Sequence, residues 1–435
     1  MEHIVVVGAS LAGLRACETL RTESFTGRVT LVGAESQTPY DRPPLSKKLL
    51  AGEWEPDRIA LRKPDDFASL DLDLRLGVAA TALDTAARTL ALDDGSSLAF
   101  DGLIIATGGA VRRLPGQPDL AGVHELRTLD DALTLRDRLA ATPRVVVIGA
   151  GFIGLEVAAT ARQRGCEVTV LEGASAPLMR GLGAEMGALV ARVHARNGVT
   201  IHCGVQVAAI EGTAGVVTGV RLGDGTVVPA DVVLVGIGVA PVTGWLADSG
   251  LELRDGVVCD ATLCTGVAGI YAAGDCARWI NPLFGAAVLG DAAPGDATGE
   301  EMRIEHWTNA AEQGAAAARN LLAVAAGNAP TPYEAVPFFW SDQFDSRIQF
   351  LGRPHGDDEV RIVHGLDEAT GDVADKFVAL YGHAGRFRGV LGVSMPKQVM
   401  PLRKLLLARA TFDQAIAAAT APPAPPAPPA PRPGG

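Results

Sequence analysis

The sequence lacks the features typical of nucleic-acid-binding and membrane-spanning proteins. Acidic residues outnumber basic ones by 50 to 38, which gives a net charge of −12 at neutral pH. Because nucleic-acid phosphates are bound by clustered Lys and Arg, this balance argues against a nucleic-acid partner. No stretch approaches the roughly 20 apolar residues that cross a bilayer, and the start of the chain shows no signal-peptide pattern. We therefore expect contact with neither nucleic acid nor membrane.

Cysteine is scarce and shows no pairing pattern. The six cysteines form neither a C-x-x-C pair nor the spacing of a metal finger. This pattern excludes a disulfide framework and an iron–sulfur cluster held by the chain itself. It predicts no metal site and is typical of proteins of the reducing cytoplasm.

The length of the chain predicts more than one domain. Its 435 residues, 48% of them hydrophobic, suffice for two to three domains at the usual ~100–200 residues each. The final stretch, APPAPPAPPAPRPGG, has almost nothing apolar to pack and favours extended polyproline conformations. We predict a disordered Ala/Pro-rich tail over residues 414–435, with a ligand for a Pro-binding module as the alternative.

Residues 5–13, VVVGASLAG, read as a strand followed by a glycine turn and a helix. Ser10 stands where the G-x-G-x-x-G fingerprint of dinucleotide-binding proteins has its second glycine. Gly8 permits the tight turn, Gly13 lets helix and strand approach, and the small Ser10 is a tolerable replacement beside a pyrophosphate. The next strand, RVTLVG, leads to Glu35, which is placed to accept hydrogen bonds from ribose hydroxyls.

Residues 145–154, VVVIGAGFIG, repeat this pattern with Gly149, Gly151 and Gly154 all present. The following strand, EVTVLE, ends at Glu172, an acid that favours a free ribose 2′-hydroxyl over a 2′-phosphate. No arginine follows until Arg180, so this copy predicts NADH rather than NADPH.

Both copies close in the same way, with a D-G hairpin between short strands and then a buried strand that runs into glycines. We therefore predict an α/β fold with two Rossmann-like dinucleotide-binding domains, similar to glutathione reductase, and an α+β C-terminal domain. The expected boundaries are a discontinuous first domain (1–110 and 240–325), a second domain (111–239) and a third (326–413). In the third we expect a helix over residues 397–407.

Six further motifs make the chain resemble a known family. They are TPYDRPPLSKKLL (38–50), IIATGG (104–109), LRTLDDA (126–132), GAGFIGLEVAA (149–159), YAAGDCAR (271–278) and EHWTNAAEQG (305–314). The chain is similar to the NADH-dependent ferredoxin reductases that serve cytochrome P450 and Rieske oxygenase systems. This resemblance implies that the first copy holds FAD and the second binds NADH. The protein is then a flavoprotein oxidoreductase that passes a hydride from NADH to FAD.

Each cofactor has a predicted set of binding residues, some read from the motifs and others implied by the resemblance. For FAD they are Gly8, Ser10, Ala12, Gly13, Glu35, Arg42, Lys47, Ala80, Arg127, Asp275 and Trp307. For NADH they are Gly149, Gly151, Phe152, Ile153, Gly154, Glu156, Glu172 and Gly238. The resemblance also pairs Lys47 with Glu156 close to the flavin's reactive edge, and we take these two as the catalytic residues.

Several of these residues have an ordinary structural alternative. Asp275 is also a plausible helix cap, Lys47 a solvated surface lysine, and Trp307 and Phe152 packing aromatics. Residues 284–301 form an insertion relative to the family and predict a flexible loop. Val242 stands where relatives usually have Asn.

The resemblance implies a [2Fe-2S] ferredoxin as the electron acceptor. Disulfide reductases of the same plan keep a cysteine pair after the first βαβ unit, whereas this chain has no cysteine between Cys17 and Cys166. Electrons must then leave the flavin directly for a separate carrier. The candidate contacts for an acidic partner are Arg303, Lys397, Arg403, Lys404 and Arg409.

Other functions remain open at this point. A reductase of rubredoxin or of a small quinone, or a redox-responsive NADH-binding scaffold, would use the same cofactor motifs. The sequence does not indicate an oligomeric state.

Overall fold

The computed structural model describes residues 1–285 and 299–421. The chain divides into two compact units, residues 1–348 and residues from 349 onward. Within the described residues, no helix combines the length and apolarity needed to cross a membrane. Most of the predicted 284–301 loop and of the predicted tail falls on residues 286–298 and 422–435, which lie outside the described residues.

The first unit contains a five-stranded parallel sheet that is built around the first glycine turn. Its strands, in spatial order, are Ile270–Ala272, Gly102–Ile105, His3–Val7, Arg28–Gly33 and Asp73–Leu76. The apolar run Ile4–Val7 is buried because it lies at the centre of this sheet, as expected for a parallel strand covered on both faces.

A second parallel sheet of the same unit repeats this order around the second glycine turn. Its strands, in spatial order, are Val123–His124, Val232–Val235, Arg144–Ile148, Glu167–Glu172 and Thr200–Cys203. In both sheets the turn-bearing strand is central, the second strand lies on one side, and the closing strand lies on the other. The internal repeat predicted from sequence is thus confirmed.

The two predicted D-G hairpins are also present, each in a three-stranded antiparallel sheet. The first sheet consists of Ala80–Asp84, Thr89–Leu92 and Ser97–Ala99, and the second of Val207–Thr213, Val216–Leu222 and Val227–Pro229. Gly95 and Gly225 adopt φ values of +83° and +90°, so glycine relieves the strain at both turns.

Helices cover the sheets of the first unit. The longer ones are Leu11–Thr22, Leu129–Leu139, Phe152–Gln163, Ala184–Arg196 and Trp307–Ala325. Short helices and 3-10 turns are Pro43–Ser46, Pro56–Ile59, Pro64–Ala68, Met179–Leu182, Gly244–Leu246, Gly274–Cys276 and Pro282–Phe284. The remaining strands are Gly109–Val111, Val239–Pro241, Val257–Cys259, Ala277–Asn281, Glu300–Arg303 and Phe338–Gln343. The strand Ser346–Gly352 contains the boundary between the units.

The second unit is an antiparallel meander with short helices. Its strands are Glu359–Leu366, Val373–His383 and Arg386–Val393. Its helical segments are Pro396–Val399, Met400–Leu402, Arg403–Leu407 and Phe412–Thr420. The last helix packs tightly, because a Cβ atom at Gly382 would lie 2.5 Å from the Phe412 ring.

Two sequence predictions for this unit were wrong. The expected continuous helix over 397–407 is split into short pieces because Pro401 lacks the amide hydrogen that a helix interior needs. The predicted tail starts too early, because residues 414–420 belong to the helix Phe412–Thr420. A capping box between Thr411 and Gln414 opens that helix, and its alanines favour helical structure.

Candidate active site

Close backbone packing requires glycine at two positions of the first turn. Gly8 has φ +119°, and a Cβ atom there would lie 2.0 Å from the carbonyl oxygen of Ala106. A Cβ atom at Gly13 would lie 2.0 Å from the carbonyl oxygen of Gly8. Both distances are far below van der Waals contact, so the strand and the helix can meet here only through glycine.

The second turn obeys the same rule at two positions and departs from it at a third. Cβ atoms at Gly149 and Gly154 would lie 2.4 Å and 2.2 Å from the carbonyl oxygens of Gly236 and Gly149. At Gly151, by contrast, no described atom lies within 4 Å of the Cβ position, and φ is an ordinary −76°. The protein's own packing therefore does not require glycine at position 151. The open space there suits the close approach of a ligand.

Both turns lead into helix N-termini whose amide groups are available to an anion. The helices begin at Leu11 and Phe152, after Ser10 and Gly151. Neither first turn carries an acidic residue, and neither N-cap side chain accepts a capping hydrogen bond. Exposed amides and the positive end of a helix dipole bind phosphate groups. The two turns thus fit one dinucleotide pyrophosphate each.

Arg42 joins the predicted FAD residues around the first turn. Its guanidinium donates hydrogen bonds to Glu35 Oε1 at 2.6 Å, to Ser10 Oγ at 3.3 Å and to the carbonyl oxygen of Arg127. Tyr40 donates its hydroxyl to the other oxygen of Glu35, and burial raises the pKa of this tyrosine. Four of the predicted residues therefore form one connected group.

Asp275 and Trp307, two further predicted FAD residues, also lie in the first unit. Arg127 Nη2 lies 3.0 Å from Asp275 Oδ2 at the turn Gly274–Cys276. Trp307 is the first residue of its helix and donates Nε1–H to Asp41 at 2.7 Å. Burial raises the pKa of Asp41.

Ala12 lies at a close contact between two helices, and Ala80 lies at the start of a strand. A Cβ atom at Gly314 would lie 2.1 Å from the carbonyl oxygen of Ala12, so two helices meet at these small residues. Ala80 is the first residue of the strand Ala80–Asp84.

The predicted NADH residues surround the second turn. Glu172 accepts hydrogen bonds from the amides of Ala150 at 2.6 Å and Ala174 at 2.8 Å. Ile153 is exposed, and Gly238 has φ +104° with open space at its Cβ position. The Phe152 ring packs against Phe339, with 4.6 Å between the ring centroids.

A buried ion pair connects the segment after the first turn with the helix after the second. Lys47 Nζ lies 2.6 Å from Glu156 Oε2, and the Glu156 side chain is only 2% exposed. The structure thus contains the ion pair that the sequence predicted. Lys47 is not a solvated surface lysine.

Sequence reasoning missed the other partners of Glu156. Ser46 donates its hydroxyl to Oε2, and Ser341 donates to Oε1 at 2.6 Å. Gln343 donates to Ser341 Oγ at 3.0 Å, and its carbonyl oxygen lies 2.8 Å from Nε2 of the buried His194. The carboxylate of Glu156 thus receives three hydrogen bonds, and a polar chain extends from it to His194.

The strand that supplies Ser341 and Gln343 has a sequence pattern from which buried polar contacts can be predicted. In Phe338–Gln343, residues 339, 341 and 343 share one face, and all three meet the second dinucleotide-binding region. Ser341 and Gln343 on the same strand face as Phe339 predict buried polar contacts. Their partners, which lie about 150 or more residues earlier in the chain, carry no local signal.

The thiols nearest the first turn are unsuited to redox chemistry. Cys17 and Cys276 are fully buried. Burial raises the pKa of Cys17 to about 12 and also raises that of Cys276. Since the thiolate is the reactive form, both thiols are inert at neutral pH. That no cysteine of the chain takes part in electron transfer stays a prediction.

Arg303 is not a surface contact for a partner, contrary to the sequence prediction. Its side chain is 10% exposed and lies 3.1 Å from Asp255 and 2.6 Å from Glu305. It also donates a hydrogen bond to the carbonyl oxygen of Asp275 at 3.0 Å. Arg303 therefore has a structural role in the first unit.

Comparisons with known proteins agree with this architecture. Residues 2–314 match the family described as pyridine nucleotide-disulphide oxidoreductase, and residues 338–424 match the reductase C-terminal family. Rhodocoxin reductase of Rhodococcus erythropolis is 37% identical over 96% of this chain and 92% of that protein. The anthranilate 1,2-dioxygenase system ferredoxin–NAD(+) reductase component of Burkholderia cepacia is 38% identical over 95% of this chain and 96% of that protein.

A solved structure is similar over almost the whole length. The covalent putidaredoxin reductase–putidaredoxin complex has a reductase-like chain that aligns with a TM-score of 0.85 and 32% identity. The alignment covers 97% of this chain and 99% of that one. The predicted fold class and the resemblance stated from sequence are both confirmed. The chain therefore belongs to the pyridine nucleotide-disulphide oxidoreductase family, among its ferredoxin reductases, and is a flavoprotein enzyme that uses FAD and NAD(H).

Proposed function

We propose that this chain carries electrons from NADH through FAD to a [2Fe-2S] ferredoxin in the cytoplasm, and that the ferredoxin serves a cytochrome P450 or Rieske oxygenase. The observation that carries this proposal is the buried Lys47–Glu156 pair, which joins the two dinucleotide turns within one unit. Relatives that belong to an oxygenase system or form a complex with putidaredoxin support the choice of acceptor. All six cysteines are free, which agrees with a reducing compartment.

The first turn is the proposed FAD site. Gly8, Gly13 and the amides after Ser10 receive the pyrophosphate, and Glu35 receives the adenosine ribose. Arg42 holds Glu35 and Ser10 in place, and Asp275, held by Arg127, accepts hydrogen bonds from the ribityl chain. The remaining proposed FAD contacts are Ala12, Lys47, Ala80 and Trp307.

The second turn is the proposed NADH site. Gly151 leaves room for the pyrophosphate, and Glu172 receives the ribose hydroxyls beside it. The negative charge of Glu172 repels a 2′-phosphate, which explains the proposed preference for NADH over NADPH. Phe152, Ile153 and Gly238 line the approach, and Gly149 and Gly154 shape the turn.

Lys47 and Glu156 act as a fixed electrostatic element. FAD held at the first turn would supply the chemistry that converts the two-electron donor NADH into a source of single electrons. Lys47 supplies a positive charge at this site, and Glu156 holds the ammonium group in one position through a 2.6 Å contact. Ser46 and Ser341 keep Glu156 in place from both of its oxygens. The chain's residues thus orient and stabilise charge, and the proposed reaction requires neither a general acid nor a nucleophile from the protein.

The second unit carries the proposed ferredoxin contact. Lys397, Arg403 and Lys404 are exposed, and the exposed apolar residues Met400 and Leu407 lie between or beside them. This cationic segment, residues 397–407, offers both charge for an acidic partner and apolar area for contact. Arg409, also predicted as a contact, is half-buried.

The decisive experiment follows cytochrome c reduction by the FAD-loaded protein with NADH, with and without a [2Fe-2S] ferredoxin, and with NADPH as a control. We expect strong dependence on ferredoxin and a clear preference for NADH. A double variant, Lys397→Glu with Arg403→Glu, should raise the KM for ferredoxin several-fold and leave ferricyanide reduction unchanged. Lys376→Glu, an exposed lysine of the same unit, serves as the matched control.

The alternatives give different results in the same assay. Fast flavin reduction by NADH with turnover only on rubredoxin or a quinone would replace the proposed acceptor. Slow flavin reduction by both nucleotides, with a long-lived NADH complex, would favour a redox-responsive scaffold.

A further inference from the structure

Two histidines and two aspartates of the second unit meet at one end of its strand meander. The strands Glu359–Leu366 and Val373–His383 pair there, with Glu359 opposite Gly382. This register brings Asp358, the residue before the first strand, beside His383, the last residue of the second. His355 and Asp357 precede Asp358 in the same turn. We call these four residues the His–Asp cluster.

The four side chains of the His–Asp cluster converge on a small volume. One potential ligand atom from each residue lies within 4.8 Å of the others. Asp357 Oδ1 lies 2.6 Å from His355 Nδ1 and 3.2 Å from His383 Nδ1. Asp358 Oδ1 lies 3.6 Å from His383 Nδ1, and the two imidazole centroids are 4.6 Å apart.

Asp358 supplies a second, independent sign of a ligand. Its side chain is only 1% exposed, although it carries a carboxylate. One oxygen accepts the amide hydrogen of His355 at 2.6 Å, whereas Oδ1, which faces His383, has no hydrogen-bond partner among the described residues. A buried carboxylate oxygen without a partner is costly, and each such group in a folded protein calls for an explanation.

The charges of the His–Asp cluster favour a bound cation. With neutral imidazoles, the His–Asp cluster carries two negative charges and two uncharged nitrogen ligands. Arg388, on the neighbouring strand Arg386–Val393, acts electrostatically on Asp358. A bound divalent cation would neutralise both carboxylates and satisfy Asp358 Oδ1.

The donor set matches a late transition metal. Imidazole nitrogen and carboxylate oxygen together are typical ligands of Zn²⁺, which prefers a tetrahedron with bonds of about 2.0–2.2 Å. Such a tetrahedron has edges of roughly 3.3–3.5 Å. The three contacts of 2.6, 3.2 and 3.6 Å bracket this range, so small side-chain rotations suffice to form it.

We propose that His355, Asp357, Asp358 and His383 bind one Zn²⁺ ion. The ion joins the turn before the first strand of the meander to the end of the second strand. All four ligands belong to the second unit, and none belongs to the dinucleotide turns. The sequence analysis predicted no metal site, since these ligands show no finger-like spacing.

The test uses the full-length FAD-loaded protein, treated with a chelator and then titrated with Zn²⁺ in a calorimeter. We expect one Zn²⁺ per chain. His355→Asn and His383→Asn should each weaken binding by at least about tenfold. Titration with Co²⁺ alone should give the visible absorption bands of a four-coordinate ion, and these should disappear in His383→Asn.

A matched control is available in the first unit. His202 and Cys203 are both exposed and adjacent, so they are an obvious adventitious site for zinc. His202→Asn and Cys203→Ser should leave the calorimetric binding unchanged. The proposal is overturned if the protein binds no Zn²⁺, if the cluster variants bind it as well as the parent does, or if the His202 and Cys203 variants remove binding. Circular dichroism and retained FAD show that each variant is folded.

Discussion

The two dinucleotide turns have the same backbone arrangement but differ at their middle position, where one has Ser10 and the other Gly151. At the outer positions, Gly8 and Gly13 match Gly149 and Gly154, and in each case backbone atoms exclude a side chain. At the middle position, Ser10 accepts a hydrogen bond from Arg42 as part of a hydrogen-bonded group, whereas Gly151 faces open space. One fingerprint therefore contains two kinds of glycine, one required by packing and one left free for a ligand.

The acids that follow the two turns extend this difference. Glu35 is held by side chains, through Arg42 and Tyr40, whereas Glu172 is held by the backbone amides of Ala150 and Ala174. The first turn is thus embedded in a network of long side chains, which suits a cofactor that stays. The second is held mainly by its own backbone, which suits a nucleotide that enters and leaves.

The largest effect is expected from placing a side chain where packing forbids it. Gly149→Ala puts a Cβ atom 2.4 Å from the carbonyl oxygen of Gly236 at a φ of +101°. Backbone strain and overpacking together should cost roughly 2–6 kcal/mol of unfolding free energy. Gly151→Ala is the control and should change stability by no more than about 0.5 kcal/mol. Chemical denaturation measures both, and equal losses would refute the distinction between the two kinds of glycine.

A smaller but clear effect is expected from cutting the link between the two turns. Lys47→Met leaves the buried Glu156 carboxylate without its cation, which should cost about 3 kcal/mol of unfolding free energy and slow flavin reduction by NADH. Lys48→Met removes the neighbouring exposed pair with Glu53 and should cost less than about 0.5 kcal/mol. Denaturation curves and stopped-flow spectroscopy provide the measurements. Similar behaviour of the two variants would mean that the Lys47–Glu156 pair contributes no more than a surface ion pair.

A moderate effect is expected from making the second turn resemble the first. Gly151→Ser fills the open space without touching described protein atoms, so stability should hold. The KM for NADH should rise by about 3- to 10-fold, or roughly 0.7–1.4 kcal/mol. Steady-state kinetics with ferricyanide as acceptor measures this change. An unchanged KM would show that position 151 does not approach the nucleotide.

The smallest effect is expected from the reverse change. Ser10→Gly removes one hydrogen bond of 3.3 Å to Arg42, while Glu35 continues to hold the guanidinium at 2.6 Å. FAD affinity should fall by less than about threefold, in keeping with a weak hydrogen bond among several contacts. Fluorescence of released FAD measures the dissociation constant. A large loss would make Ser10 a principal FAD contact rather than a tolerated substitute.

The parts of the fold that sequence could predict are those specified by short segments. The strand–turn–helix–strand unit at each glycine turn spans a few dozen residues, so the centre of each parallel sheet and both D-G hairpins are predictable from sequence. Pro401 was equally visible and should have divided the predicted helix over 397–407.

The parts that sequence could not supply depend on distant residues. Ser341 meets Glu156 across 185 positions, and His194 meets Gln343 across 149. Arg303 looked like a surface cation because its partner Asp255 becomes a neighbour only in the folded chain. Burial and pairing of polar and charged groups depend on the tertiary structure. The contacts of Glu156, His194 and Arg303 could therefore not be predicted from local sequence.

The order of strands in the first parallel sheet also has a consequence for synthesis. Four of its strands lie before residue 106, but its edge strand Ile270–Ala272 comes after the whole second sheet. A growing chain therefore emerges from the ribosome with the second sheet complete while the first still lacks an edge. The first sheet must wait for about 165 further residues, and its open edge is the part of the nascent chain most exposed to wrong pairing.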